Sequence, residues 1–165
     1  MLALPASAAL WFLPVAVPIA LWVAWSDMRA MRIPNLAVMA LLAGYAVVGL
    51  FVLPLEVWAW GWAHFAIVLV AGFVLNIAGL IGAGDAKFAA AMAPFVAAAD
   101  VLTMLPLFAA VLLAAFVTHR AARAVPAVRG LTPNWESWQR RDFPMGLALA
   151  GALVLYLGIA AGGGG

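Results

Sequence analysis

Apolar runs of membrane-crossing length recur along this chain, broken only by short polar segments, and they constrain its fold more than any other feature. Crossing a hydrocarbon layer takes about 20 mostly apolar helical residues, with about 17 tolerated. On that rule the runs predict helices at about 8–26, 36–53, 57–81, 86–99, 101–118 and 144–161. The chain is 69% hydrophobic with a mean hydropathy of +1.17. Soluble domains are only roughly half apolar, so a soluble fold is excluded. With 165 residues, almost all in apolar runs, residues 1–165 read as a single membrane-embedded domain. The expected fold is an all-α integral membrane protein, a bundle of six transmembrane helices.

Charge sets the expected orientation. Segment 86–118 could form one long helix containing Pro94 and Pro106, or two helices with a turn near Ala97–Asp100. With two helices and the N-terminus outside, the inner loops are 27–35, 82–87 and 119–142. These hold Arg29, Arg32, Lys87, Arg120, Arg123, Arg129, Arg140 and Arg141, which is every cation in the chain. A single helix would send the five arginines of 119–142 outside, against the positive-inside rule. The split is therefore expected. Trp22 and Trp25 then fall at the inner interface, and Trp11, Trp58, Trp60 and Trp62 at the outer one, as an aromatic belt requires. The pI near 9.7 thus reads as a topology signal and not as nucleic-acid binding.

Residues 1–26 lack the basic start and the downstream small-residue site of a cleavable signal, so they read as a retained helix. The chain has no cysteine, which excludes disulfides and thiolate metal sites. In loop 119–142, Thr132-Pro133 could open a short interfacial helix with Trp135 and Trp138 on one lipid-facing side, and an ordinary basic loop fits the same residues equally well. The tail Gly162–Gly165 is low-complexity and expected to be disordered.

Against this background two carboxylates stand out. Ionisable groups beside membrane-length helices are costly and point to function. Asp27 ends the first helix, and Pro34 disfavours helix at Ile33, so the chain should break there and restart with Asn35 as N-cap. Taken alone, Asp27 could be a loop residue paired with Arg29 or Arg32. In Gly82-Ala83-Gly84-Asp85-Ala86-Lys87, Gly82 and Gly84 admit unusual backbone angles and leave room for another chain to approach. Asp85 would open the fourth helix, where the helix dipole and Lys87 favour its ionised form. Taken alone, this could be a turn with an N-cap. As a pair, two carboxylates sharing a site can split into a base for water and an acid for a carbonyl. That chemistry needs no metal and no cofactor. His64 and His119 lie at no metal-ligand spacing, and Asn76 is expected to bond between helices.

The motifs carry a resemblance. Asp27 with Arg29, Arg32 and Ile33-Pro34-Asn35 resembles the first catalytic motif of the type IV prepilin peptidases. The segment Gly82 to Ala91 resembles their second, the GxGD motif with its following lysine and alanine-rich helix. Pro144-Met145-Gly146-Leu147-Ala148 resembles the Pro-x-Gly-x-Ala element that opens their last helix. The resemblance implies a bacterial inner-membrane aspartic endopeptidase with Asp27 and Asp85 as the catalytic pair. Its partners would be the lipid bilayer and prepilins or pseudopilins, whose basic leader is cut at the cytoplasmic face. Arg32, Pro34, Asn35, Gly82, Gly84, Lys87, Pro144 and Gly146 would support the site, with both site glycines and Pro144 bordering the slot for the unwound substrate. Without a cysteine-rich insert before Asp27, the chain resembles the short branch that serves Flp-type tight-adherence pili, and methyltransferase activity is expected to be absent. Phe95 to Ala99 lacks the family's frequent Trp-Leu-Gly. Two other classes fit the same carboxylates: a small transporter or proton-relay subunit, and a non-catalytic scaffold that would tolerate Asp→Asn changes.

Overall fold

A computed structural model of the chain describes residues 2–163, and every regular element in it is helical. The helices are α1 (Ala6–Ala30), α2 (Asn35–Val52), α3 (Leu55–Ile77), α4 (Ala83–Met92), α5 (Val101–Ala124), α6 (Pro126–Leu131) and α7 (Met145–Gly162). Helix α1 keeps Pro14 and Pro18 in its interior, and its 25 residues reach about 37 Å. Its buried residues Phe12, Ala16, Ala20, Val23 and Asp27 recur at helical spacing and form one stripe facing the bundle. That stripe packs most extensively on α7, whose buried Ala148, Ala152 and Ala160 let the backbones approach closely. Helix α2 covers another side of α1, α3 lies on α4, and α5 leans on α7 from outside.

Five helices among the described residues are long and apolar enough to cross a membrane: α1, α2, α3, α5 with its leading turn, and α7. The expected sixth, at 86–99, is not a full-length helix. Helix α4 has ten residues, about 15 Å, against a hydrocarbon layer of about 30 Å. Pro94 has no N–H for the α-helical ladder, which stops at Met92. The chain continues through a 3-10 turn (Ala93–Phe95), extended Val96 and Ala97, and a second 3-10 turn (Ala98–Asp100). Helices four and five are therefore separate, with the break where the charge argument put it.

The short segment nonetheless joins opposite ends of the bundle. At one end Asp85 lies beside Asp27. At the other, the buried Asp100 carboxylate accepts the Ala3 N–H at 2.8 Å, the Leu4 N–H at 3.1 Å and the Tyr156 hydroxyl at 2.7 Å. Next to this staple Phe95 meets Phe12 and Tyr45 edge to face at 4.8 and 5.4 Å, Phe12 and Tyr45 stack face to face at 5.9 Å, and Trp62 lies edge-on to Tyr45. Trp58 and Trp62 are therefore half-buried against this cluster, whereas Trp11 and Trp60 are exposed.

Loop 119–142 differs from the interfacial-helix reading. Its α-helix is α6, before Thr132, and Thr132 is the C-cap of that helix and not the N-cap of a following one; its carbonyl and hydroxyl accept the Trp138 indole N–H. Trp138 is buried, stacked 5.2 Å from His119 and 5.9 Å from Trp135, so it does not lie on lipid. Arg120 and Arg123 donate to the carbonyls of Arg141 and Arg140, which fastens this loop beneath α5. Of the expected disordered tail, Gly162 ends α7, while Gly164 and Gly165 lie outside the described residues.

Candidate active site

Asp27 sits in the last turn of α1, on the stripe that faces the bundle, and is only 5% exposed. Helix rotation separates it from Arg29, which turns outward over the Trp25 ring. The pairing of Asp27 with Arg29 or Arg32 is thus absent. Asp27 Oδ2 instead accepts the Gly146 N–H at 2.7 Å. Gly146 is the second residue of α7 after buried Pro144, so the carboxylate caps orphan donors at a helix N-terminus. A Cβ on Gly146 would lie 2.9 Å from Asp27 Oδ2 and 3.0 Å from its Cβ. Glycine is required here for closeness.

After Asp27 the chain leaves α1 through Met31, whose left-handed φ of 49° ends the helix while its N–H bonds the Asp27 carbonyl at 2.9 Å. The Ser26 hydroxyl donates to the Arg32 carbonyl at 2.8 Å and tightens the turn. Pro34, not Asn35, is the N-cap of α2. Asn35 is helical already, and its Oδ1 accepts from Lys87 Nζ at 3.3 Å, tying α2 to α4.

Asp85 lies in the first turn of α4, after the N-cap Gly82. Gly82 has an ordinary φ of −70° and Gly84 is helical, so backbone freedom is not why they are glycines. They make room. A Cβ on Gly82 would lie 2.6 Å from Asp85 Oδ2, and one on Gly84 would lie 3.3 Å from Ile33 Cβ. Ile33 is wedged between Gly84 and Gly146, 3.1 Å from where a Cβ on the latter would stand. It couples the N-termini of α4 and α7, a role signalled only by an apolar residue in a polar loop. On the far side, Gly72 of α3 lets Ala86 approach closely and seats α4. Asn76 does not bond between helices; its amide donates to the nearby Ile81 carbonyl at 2.8 Å and shapes the approach to α4.

Both carboxylates line one pocket of about 350 Å³ at this end of the bundle, and their charges interact. Met31, Arg32, Ile33, Asn35, Gly82, Ala83, Gly84 and Lys87 complete the lining. Of the expected residues, only Pro34, Pro144 and Gly146 stand behind the wall, with Gly146 touching the site through Asp27. Burial pushes the Asp85 carboxyl above the usual carboxylate range, against a smaller opposing pull from the Gly82 backbone amide. The expectation that Lys87 keeps Asp85 ionised fails for a geometric reason. Residues two apart on a helix do not face each other, and the Lys87 ammonium goes to Asn35. Among the described residues no three of His, Asp and Glu gather as metal ligands.

The geometry is thus one buried carboxylate, Asp27, and one half-buried, Asp85, from distant segments, at two helix N-termini, with acceptor lone pairs facing one pocket. A model of the type IV leader peptidase family matches residues 14–119, nearly two thirds of the chain. The chain belongs to the type IV leader peptidase family. The match includes Asp27 and the Gly82–Lys87 segment. Pro144 and Gly146 lie beyond it, and it is the hydrogen bond to Asp27 that connects them to the leader-peptidase core. No curated protein and no solved structure gives a significant match.

Proposed function

We propose that this leader peptidase cuts the basic leader from prepilins or pseudopilins by aspartate-activated attack of water. The observation that carries this reading is the single pocket shared by Asp27 and Asp85, both with unused acceptor capacity. Two carboxylates in one pocket divide the roles, one ionised as the base and one protonated as the acid. The ionised carboxylate takes a proton from water as the water oxygen attacks the scissile carbonyl, and the protonated one gives its proton to the developing oxyanion. Collapse of the tetrahedral intermediate returns that proton and breaks the C–N bond, and the proton taken from water passes to the leaving amine. Gly146 fixes Asp27, Gly82 and Gly84 give the Asp85 turn its shape, and Asn35 with Lys87 holds α2 and α4 in register. Arg32 on the rim, and Pro34 and Pro144 behind it, complete the support.

The same reading makes residues 1–165 one peptidase domain in the bacterial inner membrane. Segment 83–100 serves as a sixth, broken crossing, which puts the N-terminus outside and the pocket at the cytoplasmic face. All eight cations then lie on the inner side, in accord with the positive-inside rule. A site at this boundary meets the junction between leader and apolar helix without drawing polar backbone into hydrocarbon. The absence of cysteine from residues 1–165 accords with the peptidase-only, Flp-type branch. A transporter is less well served, because both carboxylates sit at one end of the bundle.

The test is co-expression with a prepilin. Wild-type protein is expected to convert it to a faster-migrating form with an unmethylated N-terminus. Asp27→Asn and Asp85→Asn should each slow cleavage by at least ~10²-fold. Leader removal by either variant at the wild-type rate would overturn the two-aspartate reading.

A further inference from the structure

A second pocket, also of about 350 Å³, opens on the side of the bundle, where α3 packs on α4, α5 packs on α7, and a groove remains between them. Its origin is the brevity of α4. Where a full helix would fill the gap, the chain drops into 3-10 and extended backbone and leaves a recess. Ile67 of α3 and Leu105 of α5 form its walls and are more than half exposed, so it is open sideways toward lipid. Its surface is almost wholly apolar, with His64 the one imidazole.

The floor gives the groove a direction. Ala89, Met92 and Val96 line it, and on α4 Asp85 falls one turn before Ala89 on the same face. The α4 face that floors the groove therefore leads, one turn on, to Asp85 in the other pocket. Along α4, from Met92 back to Asp85 is about 10 Å, or about two turns of helix.

We propose that this groove is the docking site for the apolar helix of the leader-bearing substrate. The inference rests on the leader-peptidase reading above and adds the route by which a substrate enters. An apolar helix lying along α4 reaches the Asp85 turn just where it must unwind for its carbonyl to enter the pocket. Small Ala89 permits close backbone approach at that point. A lipid tail would match the apolar walls, but it has no need of a track that ends at a carboxylate. The two pockets are separate, and the alignment of Ala89 in one with Asp85 in the other, one turn apart on α4, therefore favours a substrate helix.

The chain has no cysteine, so single cysteines report position cleanly. Asp27→Asn protein carrying Leu105→Cys, with Phe51→Cys on α2 as control, is reconstituted in phosphatidylethanolamine–phosphatidylglycerol vesicles. The probe is an uncut prepilin with single cysteines along its apolar helix. Crosslinks from position 105 are expected at every third or fourth probe residue, and few from position 51. In otherwise wild-type protein, Leu105→Trp should raise KM for the prepilin about tenfold and move kcat far less, the pattern of lost uniform binding.

Equal crosslinking from both positions, crosslinks between two copies at position 105, or an unchanged KM would overturn the docking site. Each of these leaves the peptidase reading intact, provided wild-type protein still cuts the probe. Failure of wild-type protein to cut it would instead remove the functional reading itself.

Discussion

The two ends of this bundle each bury carboxylates, and they treat them in opposite ways. Asp100 is 4% exposed and accepts from two backbone N–H groups and the Tyr156 hydroxyl, and it is sealed beneath an aromatic cluster. Asp27 is almost as buried, but it accepts the Gly146 N–H and otherwise faces a pocket that holds Asp85. A carboxylate has roughly four acceptor positions. At the Asp100 end they are consumed by the fold. At the Asp27 end most remain for water and substrate. Burial alone does not separate a structural acid from a reactive one; the lone pairs left over do.

The contrast is broken most directly by exchanging the two kinds of acid. Asp27→Asn should abolish leader removal with the helical circular dichroism spectrum intact. Asp100→Asn should leave cleavage in place and cost about 1–3 kcal/mol in denaturant or thermal unfolding, since buried donors lose their partner. Inactivity of a well-folded Asp100→Asn protein would erase the distinction. A subtler probe is Gly146→Ala. The new methyl must displace Asp27 or α7 by some tenths of an ångström, and misplacement of a catalytic group on this scale costs about 10- to 100-fold in kcat.

The pH dependence of Asp85 sharpens the same point. Its folded carboxyl titrates above the ordinary 3.8, so the folded state holds the proton more tightly than the unfolded chain. The stability this contributes is full below 3.8 and is lost as pH rises through the folded value. Asp85→Asn protein should therefore melt higher than wild type at neutral pH, with the difference closing in acid. An acid-side destabilisation by the same variant would contradict the burial cause. The smallest effect is expected from Asn35→Ala, which loses the exposed contact to Lys87. It should lower kcat/KM about two- to threefold, equivalent to ~0.5 kcal/mol.

Much was legible in the chain before its structure. Helical class followed from apolar runs, because backbone groups in hydrocarbon must bond within their own helix. The break between the fourth and fifth helices followed from five arginines that had to lie on one side. Asp27 and Asp85 were visible because charges are rare here, and Asp27 keeps the register of Phe12, Ala16, Ala20 and Val23. The length of α4 was misjudged, since hydropathy cannot distinguish an apolar helix from apolar 3-10 and extended chain. The glycines of the Asp85 turn were expected to relax the backbone and to leave room for another chain, and only the fold shows that the room they make is taken by the Asp85 carboxylate and Ile33.

The sequence by itself determined which segments are helical, where the polar breaks fall and which two acids stand out, because these depend on local composition and period. Only the tertiary structure decided that Asp27 meets the N-terminus of α7, that Lys87 turns to Asn35 and away from Asp85, and that Asp100 is a staple. Those outcomes depend on which distant segments come within bonding distance, as with Asp27 and Gly146 at a separation of 119 residues. Local chain chemistry carries no record of such encounters.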